Sequence, residues 1–106
     1  MRVYISGPIT NEKPGEARQK FADAEAFLRG KGWDTINPEE ALRNIHLKHD
    51  EYLTINYPML ALCDAILLLR GWRSSVGACV ELGMAMALCK KIYEIDERGT
   101  FRRFTV

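Results

Sequence analysis

Excess charge of one sign is what this 106-residue sequence lacks first. Its 15 Lys and Arg stand against 14 Asp and Glu, a formal net charge of +1. Proteins that coat polymeric nucleic acid need a clear basic excess to displace counterions, so that class is excluded, although a small anion held by a local cluster is not. Cysteine is sparse: Cys63, Cys79 and Cys89 form an odd set without a CxxC pair, which argues against a disulfide framework and a zinc knuckle. All three lie in apolar runs, where a free thiol is expected to be a small buried hydrophobe, and a reducing cytoplasm is the expected compartment. No apolar run approaches the ~20 residues that cross a bilayer. The chain opens directly into the strand-like Val3-Tyr4-Ile5 rather than a signal peptide's apolar segment. Gly7 and Gly15 have neither dinucleotide-fingerprint nor Walker spacing. His46 and His49, with Asp50 beside them, lack a further convergent ligand, so no metal site is expected.

What is present is a sequence 47% apolar and 27% charged, ordinary for one packed domain spanning residues 1–106. Residues 2–6 read as a buried strand stopped by Gly7-Pro8, and residues 9–14 as a polar loop. Residues 15–29 have helical spacing, with Phe21, Ala24, Phe27 and Leu28 in one apolar stripe ended by Gly30 and Gly32. A second strand follows at 33–36, then a helical turn or two at 39–44. Residues 49–62 carry a second helical pattern interrupted by Pro58. Because Pro removes a donor and obstructs the preceding turn, the regular helix is expected to start near Tyr57, with Asn56 as N-cap. The uninterrupted apolar run 65–69 predicts a strand covered on both faces. A loop at 71–75, a helix at 76–89 and a strand at 91–95 follow, and the tail from 100 to 106, with Phe101, Arg102, Arg103 and Phe104, predicts an edge strand or a partner surface. The β-α-β-α-β-α-β order implies an α/β three-layer, doubly wound parallel sheet of flavodoxin-like order 2-1-3-4, with room for a fifth edge strand. Its ligand crevice would lie between the first and third strands, at their carboxyl ends.

Glu81 is the most informative residue. It is the only charged side chain from Val76 to Cys89, so the helix is expected to be largely buried and Glu81 with it. A buried carboxylate needs a partner or a purpose. A structural ion pair and a catalytic role both answer to that. The preceding Gly71-Trp72-Arg73-Ser74-Ser75 feeds a helix N-terminus, where free N–H groups favour anions; Ser75 and Arg73 could assist, or be an ordinary cap and an exposed charge. Gly77 removes a side chain where a ligand could approach. Trp72 could stack on a base or cover the core. Met84 and Met86 read as core filler. Asp64 begins the third strand and so lies ~20 Å from the crevice end.

Two blocks carry a family resemblance. Val3-Tyr4-Ile5-Ser6-Gly7-Pro8-Ile9, and Cys63-Asp64-Ala65-Ile66 followed by Gly71-Trp72-Arg73-Ser74-Ser75-Val76-Gly77-Ala78-Cys79-Val80-Glu81, resemble the nucleoside 2-deoxyribosyltransferase superfamily, which includes the 2′-deoxynucleoside 5′-phosphate N-hydrolases, and within it a small bacterial and phage branch. The resemblance implies that Glu81 is the nucleophile toward the anomeric carbon and that Tyr4 stands beside it. It further implies that Ser6, Gly7 and Ser75 form a phosphate or sugar pocket. Ser75 lies where transferases carry Asp and the monophosphate N-glycosidases carry Ser, which favours a phosphorylated substrate. Eight residues before Asp64 the family usually has an acid that handles the base; this chain has Asn56, which can hydrogen-bond a base but cannot protonate it.

The resulting expectation is an N-glycosidase or deoxyribosyltransferase acting on a (deoxy)nucleoside 5′-monophosphate. Glu81 and Tyr4 would be catalytic, and Ser6, Gly7, Asn56, Trp72, Arg73, Ser75 and Gly77 would contact substrate. No metal, redox cofactor, polymeric nucleic acid or membrane is implied, and a homo-oligomer is. A non-catalytic nucleotide-binding module and a structural domain with a salt-bridged Glu81 are the rivals.

Overall fold

The computed structural model describes residues 1–10, 12–13 and 15–105, with His49 described by its backbone alone. Asn11 and Pro14 of the expected polar loop, Val106 of the tail and the His49 side chain as a metal ligand therefore lie outside the described residues.

Strand β1 (Arg2–Ser6) is paired in parallel with β2 (Asp34–Ile36) on one side and β3 (Ala65–Leu68) on the other; β3 carries β4 (Lys91–Ile95) in parallel. The tail supplies β5 (Phe101–Arg103), antiparallel to β4, and the order is β2-β1-β3-β4-β5. This is the flavodoxin-like α/β arrangement that the alternation of patterns predicts, with the fifth strand on the edge. Its connectivity reverses at β1, between β2 and β3, which is the switch point where sheets of this kind bind ligands, and Ser6 and Leu68 are register partners at the carboxyl ends of its two strands.

The period of two along the strands splits the core into two layers. Val3, Ile5, Ala65 and Leu67 face α1 (Glu16–Gly30), which buries Ala17, Phe21, Ala24 and Leu28 at helical spacing. Phe27, expected in that stripe, is 43% exposed and leans instead on Phe101, 5.1 Å between ring centroids. On the other face, Tyr4, Ile66, Leu68 and Ile92 meet Leu60, Ala78 and Ala85. These last three come from α3 (His49–Ala61) and α4 (Val76–Ala87). Between β2 and α3 lies a single turn, α2 (Pro38–Ala41), capped by the Asn37 side chain, which accepts from Glu40 N at 3.2 Å.

Three local expectations are corrected. The helix α3 does not begin at Tyr57; it starts at His49 and runs through Pro58, so Asn56 is mid-helix rather than an N-cap. Its start is fixed by Glu51, whose carboxylate accepts from Lys48 N at 2.8 Å. Pro58 is tolerated because it and Thr54, whose carbonyl loses its helical donor, are both exposed, which leaves that carbonyl open to solvent hydrogen bonding. Second, α4 is apolar yet not largely buried. Ala78, Glu81 and Ala85 are its buried residues, while Val76 is 70% and Met86 44% exposed. Met86 is thus not core filler. Third, Cys63 is buried but Cys79 and Cys89 are exposed: Cys79 lies off the buried positions of α4, and Cys89 lies in the turn after that helix, at φ 56°.

Candidate active site at the β1–β3 crevice

Tyr4 and Ser6 are two apart on β1, so both side chains leave the same face of the sheet. That face is covered by α4, whose second turn delivers Glu81. The Tyr4 hydroxyl donates to Glu81 Oε2 at 2.5 Å, and the Ser6 hydroxyl to Oε1 at 2.6 Å. From α3, Asn56 Nδ2 donates to Oε2 at 3.1 Å. Two elements distant in sequence, β1 and α3, thus converge on one carboxylate of α4 that is 6% exposed. All three donors are neutral, and among the described residues no Lys or Arg forms an ion pair with Glu81. The salt-bridged structural reading therefore loses its partner.

The electrostatics follow from that environment. Burial raises the Glu81 pKa above the usual carboxylate range, and the hydrogen bonds from Ser6, Tyr4 and Asn56 oppose the rise without cancelling it. The Tyr4 phenol is pushed far above its ordinary range, first by burial and then by the charge of Glu81. It stays protonated and serves as a fixed donor. A carboxylate held by neutral donors keeps its negative charge available to an incoming electrophile, whereas an Arg would neutralise it.

Asn56 adds a second feature. With Nδ2 committed to Glu81, its Oδ1 is buried and has no partner. The opposite amide orientation would set oxygen against oxygen, so the orphaned acceptor is a consequence of the site's chemistry.

The other expected contacts divide. Ser75 is the N-cap of α4; its Oγ accepts from Ala78 N at 3.2 Å. Its own hydroxyl proton remains free to donate. The first N–H groups of a helix have no partner within it, so Ser75 sits where an anion is favoured. Gly77 is half-buried, and an added Cβ would meet only Ser75 Oγ at 4.0 Å, so packing does not demand glycine there. Gly7 is demanded by packing: a Cβ would fall 2.8 Å from Leu69 Cβ.

Trp72, expected among the substrate contacts, is a core side chain 8% exposed. Its indole N–H donates to Glu94 at 3.3 Å, Phe104 meets it edge-on at 5.5 Å, and the Arg73 guanidinium lies 4.8 Å from its ring centroid. Arg73 is exposed over that ring. Asp64 lies at the far end of β3, where it accepts from Arg2 N at 2.8 Å and is held below the usual carboxylate range by that bond.

Sequence reasoning missed Glu94. It is 3% exposed and bound to the Arg102 guanidinium at 2.9 Å across the β4–β5 pair. The available signal was its period-two match to Ile92, which places a carboxylate on the buried face of β4. Glu94 ties the edge strand and Trp72 to the layer that carries Glu81.

Solved structures of other proteins share this fold. A CMP N-glycosidase, BcmB, from Clostridium botulinum aligns with a TM-score of 0.63 and 24% identity over 91% of this chain and 69% of that one. A 2-desoxiribosyltransferase from Leishmania mexicana gives 0.70 and 27% over 90% and 63%. A 2-deoxyribosyltransferase from Bacillus psychrosaccharolyticus gives 0.68 and 20% over 91% and 72%. The chain thus spans roughly two thirds of the length of each. No curated protein matches the sequence. The family model described as a domain of unknown function, DUF4406, matches residues 1–94, and with a match over most of its length the chain belongs to that family.

Proposed function

We propose that this protein cleaves the N-glycosidic bond of a (deoxy)nucleoside 5′-monophosphate, as an N-glycosidase or a deoxyribosyltransferase, with Glu81 as nucleophile. The observation that carries the reading is the buried Glu81 carboxylate held by Tyr4, Ser6 and Asn56 without a counter-cation. A Glu81 oxygen attacks C1′. The new C1′–O bond forms as the C1′–N bond breaks, and its electron pair leaves with the base. Water or a second base then attacks C1′ and releases the carboxylate, as in retaining glycosidases. Neither Asn56, which carries no acidic proton, nor Tyr4, whose proton is held too tightly, protonates the departing base, so that proton comes from solvent. The Ser75 hydroxyl, the N-terminus of α4 and Arg73 are suited to a 5′-phosphate, and Gly7 and Gly77 to close backbone approach. The chemistry calls for no metal or redox cofactor.

The enzymes of like fold support the reaction class: one is a CMP N-glycosidase and two are 2-deoxyribosyltransferases. The same reading takes residues 1–106 as one nucleoside deoxyribosyltransferase-like domain of the small bacterial and phage branch. It acts as a homo-oligomer on small nucleotides in a reducing cytoplasm. Among the described residues no helix is long and apolar enough to cross a membrane.

Chromatography of free base from a panel of nucleoside monophosphates tests the proposal. Wild type should release base; Glu81→Ala should fold and release none, and equal turnover by that variant would remove the mechanism. Asn56 favours a second reading, a module that binds a nucleotide without cleaving it, because the site lacks an acid for the base. Calorimetric binding of a nucleotide that yields no product under any condition would select it.

A further inference from the structure

We propose that Arg102 and Phe104, on and just after the tail strand β5, are positioning residues that hold the Arg73 guanidinium beside the N-terminus of α4, where it meets the anionic group of the ligand. The inference rests on the reading of that end of α4 as the phosphate side of the crevice, and adds what fixes it in place. The strand β5 (Phe101–Arg103) lies beyond residues 1–94, the span the family model matches.

A row of register partners runs across the carboxyl end of the sheet: Ser6 on β1, Leu68 on β3, Glu94 on β4 and Arg102 on β5. Near one end Ser6 donates to Glu81. At the other, Arg102 Nε and Nη2 both donate to Glu94 Oε2, at 3.0 and 2.9 Å. Two strand spacings, about 10 Å, separate the Ser6 and Glu94 positions, so Glu94 reaches the crevice through what it holds. A buried ion pair adds little net stability over an apolar pair of the same size. What this pair supplies is register. It fastens β5 to β4, and two residues on Phe104 N donates to the Ile92 carbonyl at 2.9 Å.

So fastened, the Phe104 ring meets Trp72 edge-on at 5.5 Å. The Arg73 guanidinium lies over both rings, 4.8 Å from the centroid of Trp72 and 5.8 Å from that of Phe104. Aromatic faces restrain a long flexible side chain without neutralising its charge. Among the described residues no carboxylate pairs with Arg73, so that charge stays available to an anion. The platform needs a ring at position 72; the indole N–H, bound to Glu94 at 3.3 Å, only seconds the ion pair. The same turn carries the helix cap, because Ser75 N donates to the Trp72 carbonyl at 3.0 Å and Ser75 Oγ accepts from Ala78 N at 3.2 Å. Tail, rings, guanidinium and cap thus form one contiguous path. Glu81 is held separately by Tyr4, Ser6 and Asn56. Loosening the tail should therefore weaken ligand binding and spare the bond-breaking step.

Steady-state kinetics on the ribo- and deoxyribonucleoside 5′-monophosphates test the proposal, with folding of each variant checked by circular dichroism. Phe104→Leu keeps the volume and removes the ring, Arg102→Gln removes the fastening, and Phe104→Tyr keeps the ring. The first two should raise KM about three- to tenfold with kcat within about twofold, and Phe104→Tyr should match wild type. Arg73→Ala should raise KM by itself. In that background Phe104→Leu should add nothing, because the ring has no guanidinium left to hold. Calorimetric Kd values for the same nucleotides repeat the cycle, so a wild type that binds without cleaving refutes the reaction and still judges the tail. If Arg102→Gln does not fold, the Phe104 cycle decides, since it leaves the ion pair intact. The proposal is overturned if Phe104→Leu leaves KM and Kd unmoved, lowers kcat alone, or keeps its full effect beside Arg73→Ala. A wild type that neither cleaves nor binds any of these nucleotides overturns it as well.

Discussion

The Tyr4 hydroxyl and the Glu81 carboxylate, 77 positions apart, share a buried hydrogen bond at 2.5 Å. One end lies on β1, between β2 and β3, and the other on the helix that covers it. The bond fixes where the carboxylate points, and through its burial it decides the ionisation of both groups.

Glu81 sets a pH dependence whose sign can be worked out. Its folded pKa is raised above the ordinary 4.5, so between that value and the raised one the native state binds more protons than the unfolded chain. Stability from this group is full below about pH 4.5 and falls as pH rises through the folded value. In Glu81→Gln the loss disappears. The melting-temperature difference, variant minus wild type, should therefore grow between about pH 4 and pH 7. A difference that is flat or shrinks with pH would contradict the raised pKa.

Tyr4→Phe keeps the ring and removes one donor to Glu81. A buried hydrogen bond to a charged group contributes about 1.5–3 kcal/mol, so the variant should lose stability of that order at neutral pH. Base release, where measured, should show its acid limb displaced to higher pH, because the ionised carboxylate has lost a stabilising partner. An unmoved acid limb would show that the bond does not govern the nucleophile.

Trp72 is held by the core and by Glu94. Trp72→Ala should cost about 3–5 kcal/mol by the cavity it leaves, read by chemical denaturation. Trp72→Phe should cost far less and leave KM for a nucleotide unchanged. A large rise in KM with the Phe variant would return the indole to the substrate pocket.

Pro58 interrupts the hydrogen-bond ladder of α3 on its exposed side. Pro58→Ala restores a donor for the Thr54 carbonyl and removes a helix-interior Pro that costs about 3 kcal/mol. Part of that gain is lost to the freer unfolded chain. The melting temperature should still rise, and a fall would mean that the ring makes a packing contribution larger than the missing bond.

The sequence by itself determined the elements and their layering. Period-two and period-3.6 patterns are local, so β1, α1, β3, α4 and β4 were legible, and their alternation dictated the parallel sheet and its order. It also singled out Glu81, because one charge in an apolar helix is a local anomaly. What tertiary structure decided were the quantities that depend on distant neighbours. Which neutral groups bind Glu81 required β1, α3 and α4 to meet. Whether Pro58 ended a helix depended on which side of α3 faced water. The positions of Trp72 and Glu94 depended on β5, and the bareness of the α4 outer face on what else the chain had available to cover it. An apolar residue states its preference for burial; only the packed chain shows whether it is granted.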